Sequence, residues 1–147
     1  MGLDQIYTQV ITENSRSTEH KHPIDCPTHS HEGVNPSCGD DIKLELKVED
    51  GIIKDAAFVG DGCAISQAST SIMIDLILGR NVDDAKRLAS KFIGMIKGEV
   101  TDDEDLEELE DAQAFKDISH MPARVKCAVL SWHTLEKALN DALDQVQ

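Results

Sequence analysis

The chain has 147 residues, of which 28 are acidic and 14 basic, for a net charge of −14. A surface this negative repels phosphate, which argues against nucleic acid and anionic membranes as partners, and 3% aromatic residues are too few for a base-stacking platform. The length suits one domain, 1–147, with a real core, and its opening residues show neither a basic nor an apolar signal region. The longest apolar stretch, Ile72 to Leu78, is short and broken by Asp75, so the chain is expected in the cytoplasm with its four cysteines reduced.

In chain order, residues 3–14 read as a helix with Leu3, Ile6, Val10 and Ile11 on one face. Residues 15–36 carry three prolines, four histidines and Cys26 without an apolar period, which reads as loop with room for one short irregular strand. Ile42, Leu44, Leu46 and Val48 alternate with Lys43, Glu45, Lys47 and Glu49, the pattern of a half-buried strand. Asp50-Gly51 marks a hairpin turn, and Ile52 to Val59 returns as a second strand with looser alternation.

Gly60-Asp61-Gly62 closes that strand, and Ile65, Ala68, Ile72 and Leu76 follow at helical spacing up to Gly79. Asn81 caps a helix that runs to about Lys97, ahead of Gly98. Thr101 and Glu104 resemble a capping box for a short acidic helix, in a run where eight of the ten residues from Asp102 to Asp111 are acidic. That run reads as a solvated helix face, or as a docking surface for a basic partner. Pro122 opens the last helix, whose stripe is Val125, Ala128, Val129, Trp132, Leu135, Leu139, Leu143 and Val146. Strands early and helices late give an α+β fold, with helices packed on one face of a small antiparallel sheet.

Three stretches carry the chemistry: Asn-Pro-Ser-Cys-Gly-Asp at 35–40, Asp-Gly-Cys-Ala-Ile-Ser at 61–66 and Arg-Val-Lys-Cys at 124–127. Cys38, Asp40, Cys63 and Cys127 make a donor set suited to zinc or iron, if folding brings them together. The competing reading makes the cysteines small core residues. It does not account for an aspartate two residues from a loop cysteine, or for a cysteine between a strand end and a helix start, where the helix dipole favours a thiolate. Cys127 falls off the apolar stripe and is expected on a partly polar surface. Arg124, one turn before it, is placed either to steady developing negative charge and pair with Asp40, or as an ordinary surface charge. His20, His22, Cys26, His29 and His31 contain His-x-His and Cys-x-x-His spacings that can chelate, although a solvated loop accounts for them as well.

The motifs Asn35–Asp40, Phe58–Ser71 and Pro122–Leu139, in that order, resemble the SufU branch of the IscU/NifU N-terminal family of iron–sulfur biogenesis proteins, across roughly residues 3–143. The resemblance implies an IscU/NifU-N-like α+β fold and zinc held by Cys38, Asp40, Cys63 and Cys127. It further implies Cys38 as the acceptor of persulfide sulfur from a SufS-type cysteine desulfurase, and a SufBCD-type assembly complex as the next acceptor. Lys126 stands where the cluster-building branch usually has histidine, and Gly98 to Met121 looks like the segment peculiar to the sulfur-transfer branch. The alternative function is a scaffold on which a transient iron–sulfur cluster is built on the same four residues. Upstream of Asn35 the chain departs from the family, with Glu13 to His22 in place of a Tyr-x-x-Pro-Arg-Asn-like stretch.

Overall fold

A computed structural model describes residues 3–36 and 39–146. The order is α1 (Leu3–Arg16), β1 (His29–Asn35), β2 (Asp40–Glu49), β3 (Ile52–Asp61), α2 (Ala64–Ile77), α3 (Val82–Ile96), α4 (Asp103–Glu107), a 3₁₀ helix (Glu110–His120) and α5 (Pro122–Val146). The three strands form one antiparallel sheet in the order β1-β2-β3. This is the α+β architecture expected, with two additions.

The first addition is β1. The segment read as loop with at most a short irregular strand holds a regular seven-residue strand, paired from His29↔Leu46 to Asn35↔Asp40. Its side chains His29, Ser30, His31 and Glu32 have no apolar period, so the pairing comes from β2 alongside rather than from its own pattern. Gly33 lets it lie close to α5, because a Cβ there would overlap Thr134 Oγ1.

β2 buries Ile42, Leu44 and Leu46 as the alternation requires. Asp50 and Gly51 both take positive φ, 56° and 75°, the conformation of a tight hairpin turn. The looser alternation of β3 has a cause: the register shifts between Lys47 and Val48, where Lys47 pairs with Asp55 and Val48 with Ile53. Beyond that bulge, Ala56, Ala57 and Phe58 are all buried.

The second addition is the 3₁₀ helix. Leu109, Ala112, Phe115 and Ile118 recur every third residue and all are buried, which is the period of a 3₁₀ turn. Phe115 meets Phe92 of α3 edge-on at 6.0 Å, and Phe92 stacks on Trp132 of α5 at 4.0 Å and 9°. The segment between the second and third cysteines is thus part of the core. The expected capping box is not formed: Asp102, not Thr101, is the N-cap of α4, and it makes no side-chain cap bond. Asn81 does cap α3, its side chain accepting from the Asp84 amide at 2.7 Å.

The acidic run is only partly a solvated face. Lys91 Nζ lies 3.1 Å from Asp105 and 2.5 Å from Glu108, and Arg87 bonds both Glu108 and Asp84. These pairs tie α4 and the residue after it to α3. Beside Lys91 and Arg87, Glu108 titrates well below the usual carboxylate range, at about 2, and Asp84 is lowered by Arg80 and Arg87.

Candidate metal centre

A strand start and two helices converge on one point. Asp40 opens β2, Cys63 is the residue before α2, and Cys127 lies in the second turn of α5. One donor atom from each lies within 4.8 Å of the other two. Sequence separations of 23 and 64 residues are closed here by tertiary structure alone. Cys38 lies outside the described residues, two positions before Asp40. Gly39 between them takes φ +72°, the left-handed conformation that favours glycine.

Asp40 is fully buried. Its Oδ1 accepts from the Cys63 amide at 2.7 Å, and its Oδ2 is 3.8 Å from Cys63 Sγ. Cys63 acts as the N-cap of α2, its sulfur accepting from the Ser66 amide at 3.5 Å. The chain passes so close that a Cβ on Gly62 would stand 3.1 Å from Asp40 Oδ1 and 3.2 Å from Ser66 Oγ. Cys127, expected on a partly polar surface, is instead buried, with Sγ 3.5 Å from the Ala123 carbonyl oxygen. Burial follows because α5 is flanked on this side by α2 as well as by the sheet.

The spacing between the two helices is set a turn and a half deeper. Trp132 Nε1 donates to Ser69 Oγ at 2.9 Å, and that hydroxyl donates to the Ala128 carbonyl at 2.6 Å. Ser69 follows Cys63 by six residues and Trp132 follows Cys127 by five. The buried bridge therefore fixes how α2 and α5 present their cysteines.

The donor set fits a metal ion. A fully buried carboxylate between two thiols needs a positive partner, and among the described residues no lysine, arginine or histidine pairs with Asp40. Arg124 does not take that role: it is exposed, makes no ion pair with Asp40, and points Nη1 at Met121 Sδ, 3.5 Å away. Two thiolates and one carboxylate suit zinc or iron better than magnesium or calcium. Ser66 was not singled out by the sequence. Its hydroxyl is buried without a hydrogen-bond partner, and the signal was its position three residues after a capping cysteine. A hollow of about 500 Å³ opens beside the cluster, lined by Ile11 and Thr12 of α1, Ala64 and Ile65 of α2, and Arg124. The contribution of α1 was likewise not legible.

The histidines and Cys26 of the histidine-rich segment do not converge on one another. His20 pairs with Asp75, His31 with Asp141 and His22 with the Pro23 carbonyl, while Cys26 is exposed.

Fold and cluster together define a small α+β protein with a cysteine–carboxylate cluster whose donors could hold a metal ion. The model of the NifU-like N-terminal domain matches residues 6–146. The chain is a member of that family of iron–sulfur cluster assembly proteins. It is 42% identical to the iron–sulfur cluster assembly scaffold protein IscU of Thermotoga maritima, over 95% of this chain and 96% of the relative. It is 38% identical to the zinc-dependent sulfurtransferase SufU of Bacillus subtilis, over 94% of this chain and 92% of the relative. A crystal structure from Fervidobacterium islandicum, described as a putative iron–sulfur cluster assembly scaffold protein for the SUF system, superposes with a TM-score of 0.85 at 36% identity, over 94% of this chain and 99% of that one. A NifU-like N-terminal structure from Brucella abortus shares the fold, with a TM-score of 0.84 at 22% identity over 97% of this chain and 98% of that one. No helix of the described residues is long and apolar enough to cross a membrane.

Proposed function

We propose that the chain, acting as one domain in the cytoplasm, is a zinc-dependent sulfur carrier. It accepts persulfide sulfur from a SufS-type cysteine desulfurase and passes it to a SufBCD-type assembly complex. The observation that carries the reading is the convergence of Asp40, Cys63 and Cys127 around a buried carboxylate with no basic partner among the described residues. Cys38 completes the ligand set. Zinc, when bound, holds the cysteines as thiolates and fixes their direction.

The chain's own residues supply the rest. Cys63 and Cys127 sit on helices locked by the Ser69–Trp132 bridge, so they are the anchored ligands. Cys38 lies between β1 and β2 in the sequence, beside Gly39, and is the cysteine able to leave. Its thiolate attacks the outer sulfur of the desulfurase persulfide. The S–S bond of the donor breaks, the donor cysteine departs as thiolate, and a new S–S bond forms on Cys38, with no net oxidation. Arg124, exposed on the rim of the hollow, is the residue that would steady the negative charge developing on the departing donor thiolate.

The second reading is a scaffold for a transient iron–sulfur cluster. The similarity to the Thermotoga maritima scaffold, 42% identical, favours it. One experiment separates the two. The chain is incubated with the desulfurase and free cysteine, and its metal content and peptide masses are measured. Sulfur transfer gives a colourless zinc protein with one added sulfur on the peptide containing Cys38. Iron with visible thiolate-to-iron absorbance, and no persulfide on Cys38, selects the scaffold.

A further inference from the structure

We propose a second divalent-cation site, formed by Glu19, His20 and Asp75 and separate from the cysteine cluster. One donor atom from each of these residues lies within 4.8 Å of the other two. His20 is 8% exposed, and its Nε2 stands 2.6 Å from Asp75 Oδ1. The imidazole is aimed by bonds that do not use its ring. The Phe58 amide donates to the His20 carbonyl at 2.9 Å, Lys21 bridges to β3 at Phe58, and Lys21 Nζ is held by Gln67 at 3.1 Å. A buried imidazole whose Nε2 meets one carboxylate, with a second within 4.8 Å, offers a mixed nitrogen–oxygen donor set.

The charge balance is open on this side. Among the described residues no lysine or arginine pairs with Glu19 or with Asp75, and Lys21, the nearest basic residue in sequence, is committed to Gln67. Two carboxylates therefore stand close together in a chain of net charge −14, an arrangement that a cation would relieve. Asp75 also lines a hollow of about 180 Å³ together with Glu110 and Asp111.

One imidazole and two carboxylates select borderline and hard divalent ions, such as Mn²⁺, Fe²⁺ or Zn²⁺, over soft thiophilic ones. The thiol-rich cysteine cluster overlaps this range at zinc and iron but disfavours Mn²⁺. Asp75 follows Cys63 by twelve residues. At a rise of ~1.5 Å per residue the two sites are separated by roughly 18 Å along α2, and they cannot share an ion.

The test uses the zinc-loaded full chain titrated with Mn²⁺, which prefers oxygen and nitrogen to thiolate. Binding is followed by loss of the free-ion electron paramagnetic resonance signal. The expected result is one Mn²⁺ per chain with spin-echo modulation from a coordinated nitrogen, and unchanged zinc content. Glu19→Gln and Asp75→Asn should each weaken binding about tenfold or more, and His20→Gln should remove the nitrogen modulation. Glu19 is exposed, so its variant tests the site without disturbing the fold. No binding at millimolar Mn²⁺ overturns the proposal. So does binding that survives Glu19→Gln and Asp75→Asn but falls in Asp103→Asn/Glu104→Gln, which would mark a diffuse acidic surface.

Discussion

The cysteine cluster and the charged ladder between α3 and α4 are both polar, and they are satisfied in opposite ways. Along the ladder, Asp84, Asp105 and Glu108 meet Arg80, Arg87 and Lys91 within the chain, with much of each carboxylate still in water. At the cluster, Asp40 is fully buried, with two thiols and, among the described residues, no basic partner. A surface cluster whose partners are all internal adjusts stability modestly. Where a buried cluster takes its positive partner from outside the chain, its free energy depends on what binds.

The largest expected effect breaks the cluster. Cys63→Ser and Cys127→Ser should each lose zinc and lower the melting temperature by on the order of 10 °C, because metal binding energy counts as folding energy when the site forms only in the native state. Cys26→Ser, at an exposed position, should change neither. Metal analysis with thermal melts checks both. Zinc retained in Cys127→Ser but lost in Cys26→Ser would reverse the assignment.

Next comes the buried bridge that spaces the helices. Trp132→Ala should cost about 3–5 kcal/mol. Trp132→Phe should cost less, since Ser69 keeps its bond to the Ala128 carbonyl while the indole donor is lost. If the bridge positions the cysteines, Trp132→Phe should also weaken zinc binding in a competition with a chelator. Unchanged affinity would confine Trp132 to the core.

A third effect lies at the β1–α5 contact. Gly33→Ala should destabilise by about 1–3 kcal/mol, because its Cβ would overlap Thr134 Oγ1. Adding Thr134→Ala should restore most of that loss in urea melts. An additive double variant would mean that the clash is not the cause.

The ladder should respond least, and only in one pH range. Glu108 has its folded-state value depressed from 4.5 to about 2 by Lys91 and Arg87. The unfolded chain therefore takes up this proton first as pH falls. The stabilisation is fully present above about 4.5, declines below it and is gone near 2. Glu108→Gln should lower the urea midpoint slightly at neutral pH, less so at high salt, and the difference from the parent should vanish as the solution is acidified toward the folded-state value. A difference that persists there would locate the effect outside the ion pairs.

Much of the fold could be read from local pattern. The alternation of Ile42, Leu44 and Leu46, the Asp50-Gly51 turn and the Asn81 cap each express a preference held within a few residues, and each stands where the pattern put it. The helices around Cys63 and Cys127 were equally visible. The donor types were legible too. Asp40 at the start of β2, and Cys63 just before α2, put donor atoms where the backbone can turn them inward.

What the pattern could not carry were contacts whose two halves lie far apart in the chain. β1 forms because β2 offers it a partner, not because its His-Ser-His-Glu sequence asks for a strand. The 3₁₀ helix hides in a segment dominated by acidic residues, and only the wall formed by Phe92 and Trp132 shows why Phe115 turns inward with a period of three. Asp105 and Glu108 look solvated until Lys91 and Arg87 are found beside them. His20 looks like part of a histidine loop until its partner proves to be Asp75, fifty-five residues on. The sequence by itself determined the periods, turns, caps and chemistry of the donors, because those depend on backbone geometry and residue type. Only the tertiary structure decided that Asp40, Cys63 and Cys127 meet, that Cys127 is buried and that Arg124 stands apart from Asp40, because those follow from how α2 and α5 pack against each other and the sheet.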